Sequence, residues 1–124
     1  MKSWLIVGLV ILALVVIGAV VYFNSSSNPY NITNNNSLQT VNIQITGFAF
    51  SPATLAVHVG DTITWTNIDS ASHTVTSDKG TELGSQTLSR DGTYSHTFTT
   101  AGVFDYHCSF HSGMKGKIIV GLLD

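Results

Sequence analysis

Apolar and polar residues alternate one by one along the second part of the chain. Val41, Ile43 and Ile45 alternate with Asn, Gln and Thr at positions 42, 44 and 46, and residues 55–59 and 62–66 continue the alternation. A period of two with β-branched and aromatic residues predicts half-buried strands. Further strands are predicted at residues 74–77, 93–99, 103–108 and 117–120, with an irregular connection from Asp78 to Gly92. Seven or eight short strands without a helical run indicate an all-β fold, an antiparallel Greek-key β-sandwich.

The N-terminal pattern is different, because residues 4–23 are apolar or glycine without interruption. As a helix this run reaches about 30 Å, which matches the hydrocarbon core of a bilayer. Lys2 is the only charge before it, so we expect the N-terminus in the cytoplasm and the remainder outside the cell or in the periplasm. The alternative is a cleaved signal peptide, but Val20 to Phe23 offer no small-residue cleavage site. The prediction is an uncleaved, single-pass anchor in the cell membrane.

Residues 24–40 are rich in Asn and Ser, uncharged and without apolar periodicity. Such a composition is typical of a flexible linker. The predicted organisation is therefore a membrane anchor over residues 1–23, a linker over 24–40 and one folded domain over 41–124.

Composition excludes some functions. Charged residues make up 10% of the 124 residues and the formal charge is −2, so there is no basic patch for nucleic acid. The single cysteine excludes an intramolecular disulfide. Its ordinary interpretation would be a buried structural residue.

The neighbours of that cysteine point to a metal instead. Cys108, His111 and Met114 follow one another at three-residue steps, so that a thiolate, an imidazole and a thioether can converge from one tight loop. Soft sulfur with imidazole suits copper. The polar turn 67–72 delivers His73, 35 residues before Cys108, as a second nitrogen donor. Two His, one Cys and a weak axial Met form a blue-copper electron-transfer site, so the predicted ligands are His73, Cys108, His111 and Met114.

These motifs resemble a known family. Residues 94–108, 114–120 and 57–67, together with His73, are similar to small blue copper proteins, the cupredoxins, of the plastocyanin and amicyanin type. The loop is closest to amicyanin, because two residues separate His111 from Met114. The resemblance covers roughly residues 41–120 and implies a cupredoxin-like fold with one type 1 copper per chain. It also implies redox donor and acceptor proteins that dock on an apolar patch near His111 and Phe110. We expect the protein to be a monomer.

The resemblance extends to residues beside the ligands. Thr74 stands where relatives often carry Asn, and we expect its hydroxyl to hydrogen-bond to the Cys108–Ser109 backbone. Ser112 stands where many relatives have Pro, so the loop lacks one rigid element.

The other histidines are not expected to bind the metal. His107 points to the opposite face from Cys108 by strand alternation. His58 is expected at the surface, and His96 as a partly buried, hydrogen-bonded side chain.

The leading interpretation is a membrane-tethered electron carrier and not an enzyme. An accessory domain of a copper enzyme would need more metal sites, and the chain has five histidines and no Cys-x-x-x-Cys. A copper carrier or storage protein would need an open, easily vacated site. An adhesion module with an incidental cysteine would stay colourless on addition of Cu(II).

Overall fold

A computed structural model describes residues 37–123. They form eight strands: β1 (Thr40–Thr46), β2 (Ala49–Ser51), β3 (Thr54–His58), β4 (Thr62–Asn67), β5 (Thr76–Ser77), β6 (Thr93–Thr97), β7 (Gly102–Cys108) and β8 (His111–Gly121). The seven strand positions predicted from the residue pattern are all occupied. The additional strand β2 is too short to show an alternation.

The strands form two four-stranded sheets, with the orders β2-β1-β4-β6 and β3-β8-β7-β5. The sequence predicted a wholly antiparallel sandwich, and this was wrong. The observed sheets are mixed, because β1 pairs with β4 in parallel and β3 pairs with β8 in parallel. The reason is that the chain leaves the first sheet after β2 and places β3 in the second. It then returns with β4 beside β1 in the same direction.

The two sheets face each other across an apolar core. The apolar positions predicted from the alternation point into this core. Four of them are fully buried: Ile43 and Ile45 of β1, and Ile63 and Trp65 of β4. From the second sheet, Tyr106 reaches Trp65, whose indole N–H donates a hydrogen bond to the phenol oxygen at 3.1 Å. Burying these large side chains removes much apolar surface from water and is the main stabilising contribution to the fold.

Tyr106 also explains a glycine in the middle of β8. Gly116 lies opposite Tyr106 in the pairing of β7 with β8. A Cβ atom at Gly116 would overlap the Tyr106 ring. Burial raises the pKa of the Tyr106 phenol to about 12. The hydrogen bond from Trp65 has a smaller effect in the opposite direction.

The membrane anchor predicted for residues 4–23 lies outside the described residues. Those described contain no helix that is both long and apolar enough to cross a bilayer.

Candidate metal centre

The site begins where β7 ends. Cys108 is the last residue of β7, it is 1% exposed, and a register irregularity separates it from His107. Ser109 and Phe110 form the turn, and β8 begins at His111, which is paired with Cys108. The sequence predicted one tight loop from Cys108 to Met114. The turn is shorter, because β8 extends back to His111 and includes Met114.

His73 arrives from the connection between β4 and β5. Its backbone N–H and C=O exchange hydrogen bonds with Leu88, which fixes it in an isolated bridge. Asn67 at the end of β4 shapes the intervening turn, since its buried side-chain amide donates to the carbonyls of Ala71 and Leu88 and its oxygen accepts from the Asp69 N–H. The result is a completely buried imidazole.

Three donor atoms converge at this end of the sandwich. The Cys108 Sγ lies 3.7 Å from Nδ1 of His73 and 3.5 Å from Nδ1 of His111. All three donors lie within 4.8 Å of one another. Metal–ligand bonds of about 2.0 Å to nitrogen and 2.3 Å to sulfur, at tetrahedral to trigonal angles, separate N and S by about 3.5 to 3.7 Å. The spacing therefore fits a single small metal ion, and a thiolate with two imidazoles suits copper.

Met114, the fourth predicted ligand, is 3% exposed on β8, three residues after His111. It points inward with Ile118 and Val120, because the burial of β8 alternates residue by residue from Met114 onward. This places a thioether in the interior, on the strand that also supplies His111.

The sulfur is surrounded by fixed polar groups. The backbone N–H of Thr74 points at Cys108 Sγ at 3.4 Å, and the Thr74 hydroxyl accepts a hydrogen bond of 2.8 Å from the Ser109 N–H. The second contact confirms the role predicted for Thr74. Thr76 continues the network by joining the hydroxyls of Thr74 and Ser109. These contacts therefore hold the sulfur in a fixed position relative to the His73 and His111 rings.

Sequence reasoning missed two residues of the site. Asp69 lies within 2.9 Å of His73 Nε2, the ring nitrogen that faces away from the sulfur. The hydrogen bond from the Phe48 N–H is the main cause that lowers the pKa of the Asp69 carboxyl group. Burial acts in the opposite direction, whereas the hydrogen bonds from Gly47 and His73 lower this pKa further. The sequence feature that could have indicated this role is the position of Asp69, a carboxylate four residues before the candidate ligand His73.

Phe48 is the second missed residue. Its ring packs edge-on against both imidazoles, with centroid separations of 5.4 Å to His73 and 5.0 Å to His111. Phe110, which the sequence placed beside His111, is more distant, with a centroid separation of 6.5 Å. No local pattern marks Phe48, since it lies between two strands and far from the ligands in sequence.

The remaining histidines lie away from the donor cluster, as expected. His107 bonds to Asp78 at 2.6 Å on the other face of β7. His96 bonds to Glu82 at 2.6 Å and is partly buried. The His58 side chain is 43% exposed beside the Asp61 carboxylate.

Comparison with known proteins supports the same conclusion. Residues 38–121 match the family described as copper binding proteins of the plastocyanin/azurin family. The chain is 37% identical to amicyanin of Paracoccus denitrificans over 82 residues, which are 63% of each chain. It is 40% identical to halocyanin of Natronomonas pharaonis over 80 residues, which are 60% of this chain and 49% of halocyanin. Thus it spans less than two thirds of the length of either relative.

A solved structure agrees with the fold. The oxidized state of a proline-to-alanine mutant of amicyanin superimposes with a TM-score of 0.63 at 35% sequence identity, covering 66% of this chain and 82% of that one. The chain therefore belongs to the plastocyanin/azurin family of copper-binding proteins.

Proposed function

We propose that the protein is a type 1 copper protein that carries single electrons between redox proteins on the outer side of a membrane. The observation that carries this proposal is the convergence of one buried cysteine sulfur and two imidazole Nδ1 atoms within 4.8 Å. His73, Cys108 and His111 would hold the metal, and Met114 would be the weak axial ligand. Copper, when bound, supplies one-electron redox chemistry.

The role of the protein is to keep the donors still. His73 and Cys108 are held by β4, β7 and their connections, and both are essentially unexposed. The Asp69 carboxylate accepts a hydrogen bond from the His73 ring, and the Thr74 N–H donates one to the Cys108 sulfur, so both donors are fixed in orientation. Donor atoms that do not move between two oxidation states need little rearrangement, which favours rapid electron exchange.

His111 offers the route to a partner. It is only partly buried, whereas His73 is fully buried. Three large apolar residues stand exposed on the connecting segments around the site: Phe48, Ile68 and Phe110. An apolar centre with few charges is typical of a protein–protein contact surface. The donor and the acceptor would dock on this patch, near His111 and Phe110.

Attachment to a membrane by residues 4–23, with residues 24–40 as linker, belongs to the same proposal. Support comes from the place where the folded domain begins. β1 starts at Thr40 and Phe48 follows its other end, so a seven-residue strand of about 20 Å lies between the linker and the site. A tether at Thr40 would leave the apolar patch free to meet partners.

The first test adds one equivalent of Cu(II) to the apo domain. We expect an intense blue or blue-green absorption from charge transfer between the Cys108 thiolate and copper. Cys108→Ser should lose the band, because a hydroxyl cannot supply this transition, whereas His58→Ala should keep it. Reversible one-electron voltammetry then tests electron transfer. A colourless complex that rapidly gives up its metal would contradict the proposal and favour a copper carrier.

A second test concerns the tether. Mass spectrometry of the membrane fraction should recover peptides from residues 4–23. A mature chain that begins near Asn24 would overturn the anchor.

A further inference from the structure

A two-residue turn outside the predicted ligand set contacts both imidazoles. Gly47 and Phe48 connect β1 to β2 with φ angles of +59° and +58°. For a bulky residue such as Phe this left-handed conformation is unfavourable and needs support from its surroundings. The turn is therefore held in place by contacts elsewhere in the domain.

Asp69 provides that support. Its Oδ1 accepts a hydrogen bond of 2.7 Å from the Gly47 N–H, and its Oδ2 accepts one of 2.9 Å from the Phe48 N–H. The same Oδ2 lies 2.9 Å from His73 Nε2. One carboxylate thus fixes both the turn and the ring of a metal-donor histidine.

The two imidazoles are restrained by different means. His73 is held through Nε2 by Asp69. Within residues 37–123, the only hydrogen bond of the His111 ring is to Cys108 Sγ. The His111 ring lies 4.9 Å from the His73 ring at an interplanar angle of 56°. The Phe48 ring also meets it, at 89° with a centroid separation of 5.0 Å. Phe48 in turn contacts His73 at 84°, so it bridges the two rings.

We propose that Asp69 and Phe48 act as a pair of positioning residues for the metal centre. Asp69 orients His73 directly and His111 indirectly, through the turn that carries Phe48. The effect of these residues on the reduction potential of copper rests on the proposed function, but their effect on the orientation of the two imidazole rings does not. The two residues should shift the reduction potential in opposite directions. The Asp69 carboxylate favours the more highly charged Cu(II), while the apolar Phe48 ring excludes water and disfavours it.

The test compares Asp69→Asn, Phe48→Ala, their double variant and Phe110→Ala with the wild type. Phe110 is a matched control, because it is as exposed as Phe48, at 55% for each residue, and lies next to His111 in the chain. NMR relaxation of the His111 ring is measured in the apo domain. The reduction potential and the rate at which a chelator removes copper are measured in the loaded domain.

We expect Phe48→Ala to release copper at least tenfold faster and to mobilise the His111 ring, while Phe110→Ala changes both less than twofold. The potential should fall in Phe48→Ala and rise in Asp69→Asn. A tenfold change in the relative affinity for the two oxidation states corresponds to 59 mV for a one-electron couple. Asp69→Asn should also mobilise the His111 ring, and it should add nothing in the Phe48→Ala background.

A His111 ring that is no more mobile in Phe48→Ala than in Phe110→Ala would overturn the proposal. An additive effect of Asp69→Asn on that ring would overturn the indirect role of Asp69. If Asp69→Asn does not fold, the comparison of Phe48→Ala with Phe110→Ala decides the case. A wild type that forms no blue copper complex would refute the proposed function, while the ring measurements on the apo domain would still test the positioning role.

Discussion

The surroundings of the buried side chains change from apolar to polar over the two-residue step from Tyr106 to Cys108 on β7. Around Tyr106 the sheets meet through Trp65 and apolar side chains, and one hydrogen bond is enough to satisfy both polar groups. Around Cys108 several of the buried residues are polar, including His73, Thr74 and Asn67. Within residues 37–123 no buried side-chain nitrogen or oxygen lacks a hydrogen-bond partner. Burial by itself stabilises the first region, whereas the second depends on specific hydrogen bonds.

This difference suggests that the two regions have separable roles. Changes near Tyr106 should lower stability and leave the metal-centre spectrum unchanged. Changes near Cys108 should alter the metal centre at a smaller cost in stability.

The largest effect is expected for Trp65→Phe. The smaller ring leaves a void and removes the donor to the Tyr106 hydroxyl, so the free energy of unfolding of the apo domain should fall by about 2–4 kcal/mol. Urea denaturation measures the loss, and the blue band of the copper form should remain. Phe110→Ala, at an exposed position, is the control and should change stability by about 0.5 kcal/mol or less. A strongly altered band in Trp65→Phe would show that the two regions are not separable.

Tyr106 predicts a loss of stability in alkali. Because burial raises its pKa to about 12 from 10.0, the unfolded chain releases the phenol proton first as the pH rises. The contribution of Tyr106 to the free energy of unfolding should therefore be constant below about pH 10, fall by about 2–3 kcal/mol between pH 10 and 12, and level off above. Urea denaturation of the apo domain across this range, with Tyr106→Phe as reference, isolates the effect. Parallel curves for the two proteins would contradict it.

Met114→Leu tests the other side of the comparison. The substitution conserves volume, so stability should change by less than about 1.5 kcal/mol. A weak axial ligand tunes the potential more than it secures the ion. We expect the variant to keep blue copper at a potential raised by roughly 59 mV, a tenfold change in relative affinity. Loss of the metal would exclude an axial role for Met114.

The smallest effect is expected for Thr74→Val. Valine keeps the shape but leaves the Ser109 N–H without its acceptor, which costs about 1 kcal/mol. Thr74→Ser retains the hydroxyl and is the matched control. The blue band should shift slightly in the valine variant alone, and equal spectra for both variants would remove Thr74 from the metal environment.

Much of this architecture could be predicted because it depends on local spacing. The alternation at Ile43 and Ile45 reports which face of a strand is buried, whatever the strand pairs with. Cys108, His111 and Met114 are close in sequence, so their convergence needs only one chain reversal. His73 could be predicted because the donor set required a second nitrogen. The hydrogen bond of the Thr74 hydroxyl could be predicted from the resemblance, because relatives often carry Asn at that position.

The roles of Asp69 and Phe48 could not be predicted from local spacing. They are separated by 21 residues and meet only because β1 lies parallel to β4, which brings the ends of both strands to the same side of the sheet. The alternation of apolar and polar residues does not reveal whether two strands pair in parallel or antiparallel, since both kinds of pairing bury the same face of the strand. By itself, therefore, the sequence determined the strands and the chemistry of the donors. Only the tertiary structure decided which carboxylate and which aromatic ring hold those donors in place, because strand pairing sets contacts between distant segments.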